Sequence, residues 1–181
     1  MPLGELAERS NAAVLKTVSP QGLGGSNPSL SAIQPWGTRM AKIEIRKIDH
    51  LVLRVRDIDA MRAFYCDVLG AEHVAYRPAF GMSHLRVGNA MLDLVEVDGP
   101  SGRRGGAAPG AEGHNLDHFC FRVEPFDQEA IVAHLKLHKV AVGPIRDRYG
   151  SEGNGVSIYL TDPEGNTVEL KGPSDGRPPA S

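Results

Sequence analysis

Two stretches of the chain show the same alternation of apolar and polar positions. Residues 48–55 read I-D-H-L-V-L-R-V, and residues 116–123 read L-D-H-F-C-F-R-V. Asp, His, Arg and Val fall at equivalent places, and the remaining positions are apolar. Strict alternation predicts a half-buried strand in each stretch. The repetition indicates one supersecondary unit used twice, with His50 and His118 at equivalent points.

A helical period follows each predicted strand. Asp57 or Asp59 can cap the first helix, which is expected to run to about Leu69, with Gly70 at the C′ position. Asp127 can cap the second helix. The candidates for burial on the second helix are Ile131, Leu135 and Leu137. The more apolar face of each strand should pack against its helix, which leaves the two histidine faces to border a cavity.

Short apolar runs after each helix predict three more strands in each half. They lie at about 73–77, 82–87 and 91–97, and then at about 140–145, 156–160 and 166–171. Residues 146–155 are expected to form a flexible loop. Each half therefore reads βαβββ, and the fold class is α+β.

The first 39 residues differ from the rest of the chain. They are rich in Ser, Gly and Pro and carry no periodic pattern, so residues 1–39 are expected to be a disordered tail. Residues 25–31, when reverse-translated, resemble the T-arm of a tRNA gene, which suggests a misassigned start and Met40 as the first residue. One folded domain is predicted over 40–174. Its modules span about 46–98 and 116–172, joined by a connector at 99–115 and followed by a disordered tail at 175–181.

Composition narrows the functional class. A hydrophobic content of 41% and a net charge of −2 are typical of a soluble globular protein. They give no reason to expect binding to nucleic acid or to an anionic membrane. The two cysteines lack zinc or redox spacing, which favours reduced thiols and a cytoplasmic location.

Two histidines and one carboxylate form the main candidate site. His50 and His118 share one face of equivalent strands, and Glu169 lies in T-V-E-L between two residues that should face the core. Two His and one carboxylate suit Fe, Mn, Ni, Co or Zn as a divalent ion and leave positions open for a substrate. Asp93 is a weaker fourth candidate, because its side chain is short. Its alternative role is to accept a hydrogen bond from a ligand histidine.

Four other residues share these faces. Tyr159 can donate a hydrogen bond to a metal-bound oxygen or can be a packed aromatic residue. His84 can face the cavity or lie at an exposed strand edge. Arg54 and Arg122 can hold an anionic end of a small-molecule substrate or can form salt bridges at a rim or dimer contact.

Several segments together resemble the vicinal oxygen chelate superfamily, which includes glyoxalases, bleomycin-resistance proteins and extradiol dioxygenases. These segments are I-D-H-L-V-L-R-V, A-F-Y-C-D-V-L-G, L-D-H-F-C-F-R-V and D-P-E-G-N-T-V-E-L, within about 46–172. The resemblance implies a glyoxalase-like fold, with two modules forming a curved mixed sheet around a metal. It also implies His50, His118 and Glu169 as ligands, and it favours a homodimer.

The resemblance leaves the reaction open. Arg54 matches an arginine that contacts the glutathione carboxylate in glyoxalases, but Asp93 stands where they usually have Glu. Tyr159 lies ten residues before Glu169, as in extradiol dioxygenases. We expect a glyoxalase-like isomerase or lyase, and the candidate catalytic residues over all the reactions considered are Glu169 and Tyr159. The alternatives are an Fe(II) dioxygenase and a non-enzymatic protein that binds a small molecule or antibiotic.

Overall fold

The computed structural model describes residues 42–178. Module 1 contains strand β1 (His50–Val55), helix α1 (Ile58–Ala63), β2 (Glu72–Arg77), β3 (Met82–Val87) and β4 (Ala90–Glu96). Module 2 contains β5 (Phe119–Arg122), α2 (Gln128–Leu137), β6 (Val142–Gly150), β7 (Gly153–Thr161) and β8 (Thr167–Lys171). The predicted βαβββ order is confirmed in both halves.

Each module forms one four-stranded mixed sheet. The strand orders are β1-β4-β3-β2 and β5-β8-β7-β6. The first strand of each module runs parallel to the last, and the other pairs are antiparallel. The predicted α+β class with two equivalent modules is therefore confirmed.

The predicted caps determine where the helices begin. Asp57 accepts a hydrogen bond from the main-chain N of Ala60 at 2.9 Å, and Asp127 accepts one from Ala130 at 3.0 Å. Beyond α1 the chain continues as one π-helical segment, Phe64–Val68. Gly70 then adopts φ +74°, a conformation that suits glycine at a helix end.

The strand faces opposite the histidines form one core shared by both modules. Its fully buried members include Leu53, Val55, Met61, Tyr65, Leu85, Leu92, Leu94 and Ile158. Leu135 on α2 also joins this core, as predicted. The expectation that Leu137 is buried is wrong, because this residue is 80% exposed and lies on the solvent side at the end of α2.

The turn between β7 and β8 connects the two modules. The hydroxyl of Tyr65 donates to Oδ2 of Asp162 at 2.7 Å, and Glu164 accepts from the main-chain N of Arg56 and Asp57. Burial, followed by the charge of Asp162, raises the pKa of Tyr65 well above its usual value. The phenol therefore remains a donor at neutral pH. The core packing and these bonds hold the histidine faces of both sheets away from the helices.

The flexible loop expected at 146–155 is instead part of a regular hairpin. β6 and β7 pair from Val142↔Leu160 to Gly150↔Gly153, so the turn contains only two residues. The polar and glycine-rich composition of this stretch suggested a loop, but cross-strand pairing orders it. In the described part of the predicted tail at 175–181, the main-chain N of Asp175 donates to the Asn154 carbonyl and Arg177 pairs with Asp147. Residues 179–181 lie outside the described residues.

The prediction for residues 1–39 lies outside the described residues. Within 42–178, no helix has the length and apolar character needed to cross a membrane.

Candidate metal centre

The two sheets present equivalent side chains on their histidine faces. In module 1, the strand register aligns Val52 with Asp93 and His84 with Asp93. In module 2, it aligns Cys120 with Glu169 and Tyr159 with Glu169. Asp93 and His84 are thus the module 1 counterparts of Glu169 and Tyr159.

His118 and Glu169 converge on the face of module 2. Nε2 of His118 lies 3.4 Å from Oε2 of Glu169. Two ligand atoms that are each about 2.1 Å from a shared ion lie roughly 3.0–3.4 Å apart. The pair therefore has the spacing of two ligands of one divalent ion.

Hydrogen bonds fix the carboxylate of Glu169 in place. Glu169 is 4% exposed, and it accepts from Oγ of Ser157 at 2.5 Å and from the hydroxyl of Tyr159 at 3.0 Å. A buried carboxylate needs such donors. Sequence reasoning missed this role of Ser157; the available signal was that Ser157 lies two residues before Tyr159 and therefore on the same face of the strand.

Each candidate histidine ligand is oriented by the aspartate before it. Nδ1 of His118 lies 2.5 Å from Oδ1 of Asp117, and Nδ1 of His50 lies 3.1 Å from Oδ2 of Asp49. A carboxylate only accepts, so Nδ1 is the donor in each contact and Nε2 is the nitrogen that a metal would take. Both aspartates are repeated in the sequence, and that repetition was the available signal for this role.

One chain does not by itself bring all three candidate ligands together. Among residues 42–178, no group of three or more His, Cys, Asp or Glu side chains is arranged to hold a metal. His50 lies on module 1, and its side chain is 53% exposed. Imidazole and carboxylate groups and the His118–Glu169 spacing fit a divalent metal. A third ligand must join this pair to complete the site.

Asp93 is committed to His84 rather than to either candidate ligand histidine. Nδ1 of His84 lies 2.7 Å from Oδ1 of Asp93, whose residue is 8% exposed. The carboxylate again leaves Nε2 of the imidazole available. This dyad can exchange protons with a group in front of module 1, and its contact occupies one of the two Asp93 carboxylate oxygens.

Tyr159 lies beside both residues of the module 2 pair. Its ring centroid is 6.0 Å from that of His118, and Nε of Arg148 donates to its hydroxyl at 3.2 Å. Burial raises the pKa of Tyr159, the Arg148 hydrogen bond opposes that shift, and the bond to Glu169 adds to it. The phenol is therefore a protonated donor at neutral pH. It lies next to the position that a metal ion bound by His118 and Glu169 would occupy.

The two arginines on these faces already have partners. The Arg54 guanidinium donates to the carbonyls of Gly105, Gly106 and Ala107 in the connector. A Cβ at Gly105 would lie 2.5 Å from the guanidinium carbon, so any other residue there would displace the Arg54 side chain from this position. Nε of Arg122 donates to Glu152 at 2.8 Å. The role of both arginines in substrate binding stays a prediction.

Cys120 lies beside Glu169, with which it is aligned in the β5–β8 register. Burial, and then the nearby charge of Glu169, raise the pKa of its thiol to about 12. Cys120 is therefore a neutral thiol at physiological pH.

Residues 47–170 match the family model described as "Glyoxalase/Bleomycin resistance protein/Dioxygenase superfamily". The glyoxalase domain-containing protein RDO1 of Mycosarcoma maydis is 30% identical over 156 residues, which cover 84% of this chain and 84% of RDO1.

Solved structures give the same fold. The crystal structure of virulence protein STM3117 from Salmonella typhimurium has a TM-score of 0.59 and 26% identity, covering 72% of this chain and 99% of that one. The crystal structure of lactoylglutathione lyase from Agrobacterium tumefaciens has a TM-score of 0.51 and 27% identity, covering 70% of this chain and 92% of that one.

Proposed function

The chain belongs to the glyoxalase/bleomycin resistance protein/dioxygenase superfamily, and on that basis we propose that it is a metal-dependent enzyme of glyoxalase type. The proposed reaction is an isomerisation, or a bond cleavage of the lyase type, on a small molecule that binds through two adjacent oxygens. The observation that carries this proposal is the convergence of His118 Nε2 and Glu169 Oε2 at 3.4 Å. The likeness to lactoylglutathione lyase gives further support.

His50, His118 and Glu169 would hold the ion. When bound, a divalent metal would act as a Lewis acid on the two substrate oxygens. Ser157 and Tyr159 keep Glu169 in one orientation, so that its carboxylate can take a proton from the adjacent carbon or return one. His84, oriented by Asp93, supplies a second proton-exchanging group from the other module.

Metal analysis of protein purified without chelators tests this proposal. We expect about one divalent ion per chain, because each chain contributes one complete set of the three ligands. Nickel, cobalt, zinc or manganese together with turnover of a hemithioacetal would support an isomerase or lyase. A metal-free protein that still bound small molecules would reject the enzyme proposal in favour of a binding protein.

A second candidate is an Fe(II)-dependent extradiol dioxygenase. The observation that favours it is the protonated hydroxyl of Tyr159, which lies 3.0 Å from Glu169 and beside His118. In this reaction the phenol would donate a hydrogen bond to substrate oxygen. Iron in the purified protein and turnover of a catechol would decide for it.

We further propose that the metal site is completed across a homodimer. The support is the absence, within 42–178, of a three-ligand group in a single chain, together with the exposure of His50. In a twofold dimer, module 1 of one protomer can face module 2 of its partner, which creates two equivalent sites. Light scattering at micromolar concentration should give twice the chain mass of 19.4 kDa.

Mixing His50→Ala and His118→Ala chains tests whether the site is shared. In a mixed dimer of this kind, one shared site keeps both histidines and the other keeps neither. Random pairing should therefore restore metal at about a quarter of the sites. If each site lay within one chain, every site would lack one histidine and mixing would restore nothing.

A further inference from the structure

A buried ammonium lies next to the His118–Glu169 pair. Lys171 follows Glu169 by two residues on β8, so the two side chains share a face and lie about 7 Å apart along the strand. Lys171 is 6% exposed. With Glu169, His118 and Arg122 it lines a cavity of about 250 Å³ that the turn of the β6–β7 hairpin borders.

The β6–β7 hairpin is shaped around this side chain. Nζ of Lys171 donates to the carbonyls of Arg148 at 2.5 Å and Gly155 at 3.1 Å. A Cβ at Gly150 would lie 2.8 Å from Cε of Lys171, and one at Gly155 would lie 3.1 Å from Nζ. Gly150 therefore leaves space for the lysine side chain, whereas a Cβ at Gly155 would meet the Pro173 carbonyl before it met Nζ.

These contacts do not neutralise the charge. Within the described part of the chain, Lys171 forms no ion pair with a carboxylate, and Glu169 receives its hydrogen bonds from Ser157 and Tyr159. The direct contacts of Lys171 are with neutral carbonyls, and the exposed Asp175 carboxylate interacts with it only through space. Burying an ammonium without a direct ion pair is costly, whereas an apolar side chain could fill the same space. The ammonium has three donors, and its two carbonyl partners leave one for a ligand in the cavity.

Arg122 adds a second cation beside the first. The β5–β8 register pairs Arg122 directly with Lys171. Nε of Arg122 donates to Glu152 in the hairpin turn, and its Nη2 donates to Glu124 at 3.4 Å; the two carboxylate side chains are 54% and 78% exposed. An incoming anion can therefore replace the Glu152 carboxylate at the Arg122 guanidinium, because the Glu152 side chain can move into solvent.

We propose that Lys171, together with Arg122, binds an anionic group of the substrate, a carboxylate or a phosphate. This group would lie about 7 Å from the end of the substrate that reacts beside Glu169. The position of the reacting end rests on the proposed function, but anion binding at Lys171 does not require the metal.

The test is a titration of metal-free protein, followed by the NMR shifts of its backbone amides. Propionate and inorganic phosphate are the two anionic probes, and propionamide is the neutral control. In the wild type, saturable shifts are expected over residues 149–155 and at Lys171 for at least one anion and not for propionamide. The anion that binds more tightly identifies the group. The absence of saturation by either anion up to about 50 mM, which corresponds to negligible affinity, would overturn the proposal.

Two variants sharpen the titration. Lys171→Met should weaken anion binding at least about tenfold, because a charge-assisted hydrogen bond is lost. Lys136→Met, an exposed position on α2, is the matched control and should bind as the wild type does. Glu152→Gln should bind the anion several-fold more tightly, because it removes the nearer of the two carboxylates that compete for Arg122. This change is at an exposed position, so it keeps the test valid if Lys171→Met does not fold. Unchanged affinity in Glu152→Gln would contradict the proposed place of the anion.

Turnover separates this proposal from the proposed function. Two hemithioacetals of methylglyoxal serve as substrates, one made with 3-mercaptopropionate and one with neutral 2-mercaptoethanol. Metal-loaded wild type should have the lower KM for the anionic compound, and Lys171→Met should lose that preference. Anion binding without turnover of either compound would reject the isomerase and leave the anion site standing. Turnover of both compounds with the same KM, together with no anion binding in the titration, would reject the anion site alone.

Discussion

Replacing His118 by Ala is expected to remove most of the metal that the wild-type protein binds. The imidazole Nε2 lies 3.4 Å from Oε2 of Glu169, so its loss leaves that carboxylate as the remaining ligand of the module 2 pair. A single carboxylate binds divalent ions weakly compared with a set of two His and one carboxylate. His50→Ala should have the same effect if both histidines bind one ion.

Two measurements check this prediction. Metal content after dialysis should fall in His118→Ala, whereas His114→Ala, at an exposed connector residue, should keep it. Thermal unfolding gives an independent reading, because a ligand that binds only the folded state adds about 2.7 kcal/mol at 100 times its Kd. Added metal should raise the Tm of the wild type and leave that of His118→Ala nearly unchanged. Full metal occupancy in His118→Ala would reject the ligand assignment.

Asp93→Asn is expected to lower turnover of a hemithioacetal by at least about 100-fold if the enzyme is an isomerase or lyase. Asp93 can act there by binding the metal or through its 2.7 Å contact with His84. The amide is a poorer ligand than the carboxylate, and it does not stabilise a protonated imidazole. Tyr159→Phe should have a mild effect in this reaction, because Ser157 still donates to Glu169.

A dioxygenase would give the opposite ranking. Tyr159→Phe would then slow the turnover of a catechol by about 10²–10⁴-fold, since it removes a hydrogen bond to the reacting oxygen, and Asp93→Asn would be tolerated. The matched controls are Asp67→Asn and Tyr76→Phe, at two exposed positions outside the site. Each variant should be assayed on both substrates. If Asp93→Asn and Tyr159→Phe both kept full activity, neither mechanism would stand.

The repeated pattern of apolar and polar residues was sufficient to predict the two modules. Alternation is a local property with a period of two, so it assigns each side chain to a face of its strand before any partner is known. The same period puts Asp93 and Glu96 on opposite faces of their strand, and in the β1–β4 register Asp93 lies beside Val52, on the His50 face. The prediction of a loop at 146–155 was wrong because it rested on composition. There, pairing with the next strand overrides a composition that is typical of a loop.

The sequence by itself determined the fold class, the helix caps and the face on which each candidate site residue lies, because periodicity and capping depend on near neighbours. Only the tertiary structure decided which of those side chains meet. It brought Glu169 to His118, joined Asp93 to His84 and placed the Arg54 guanidinium against the connector. It also surrounded the ammonium of Lys171 with the β6–β7 hairpin. These pairings depend on strand register and on the packing of distant segments, which local patterns do not encode.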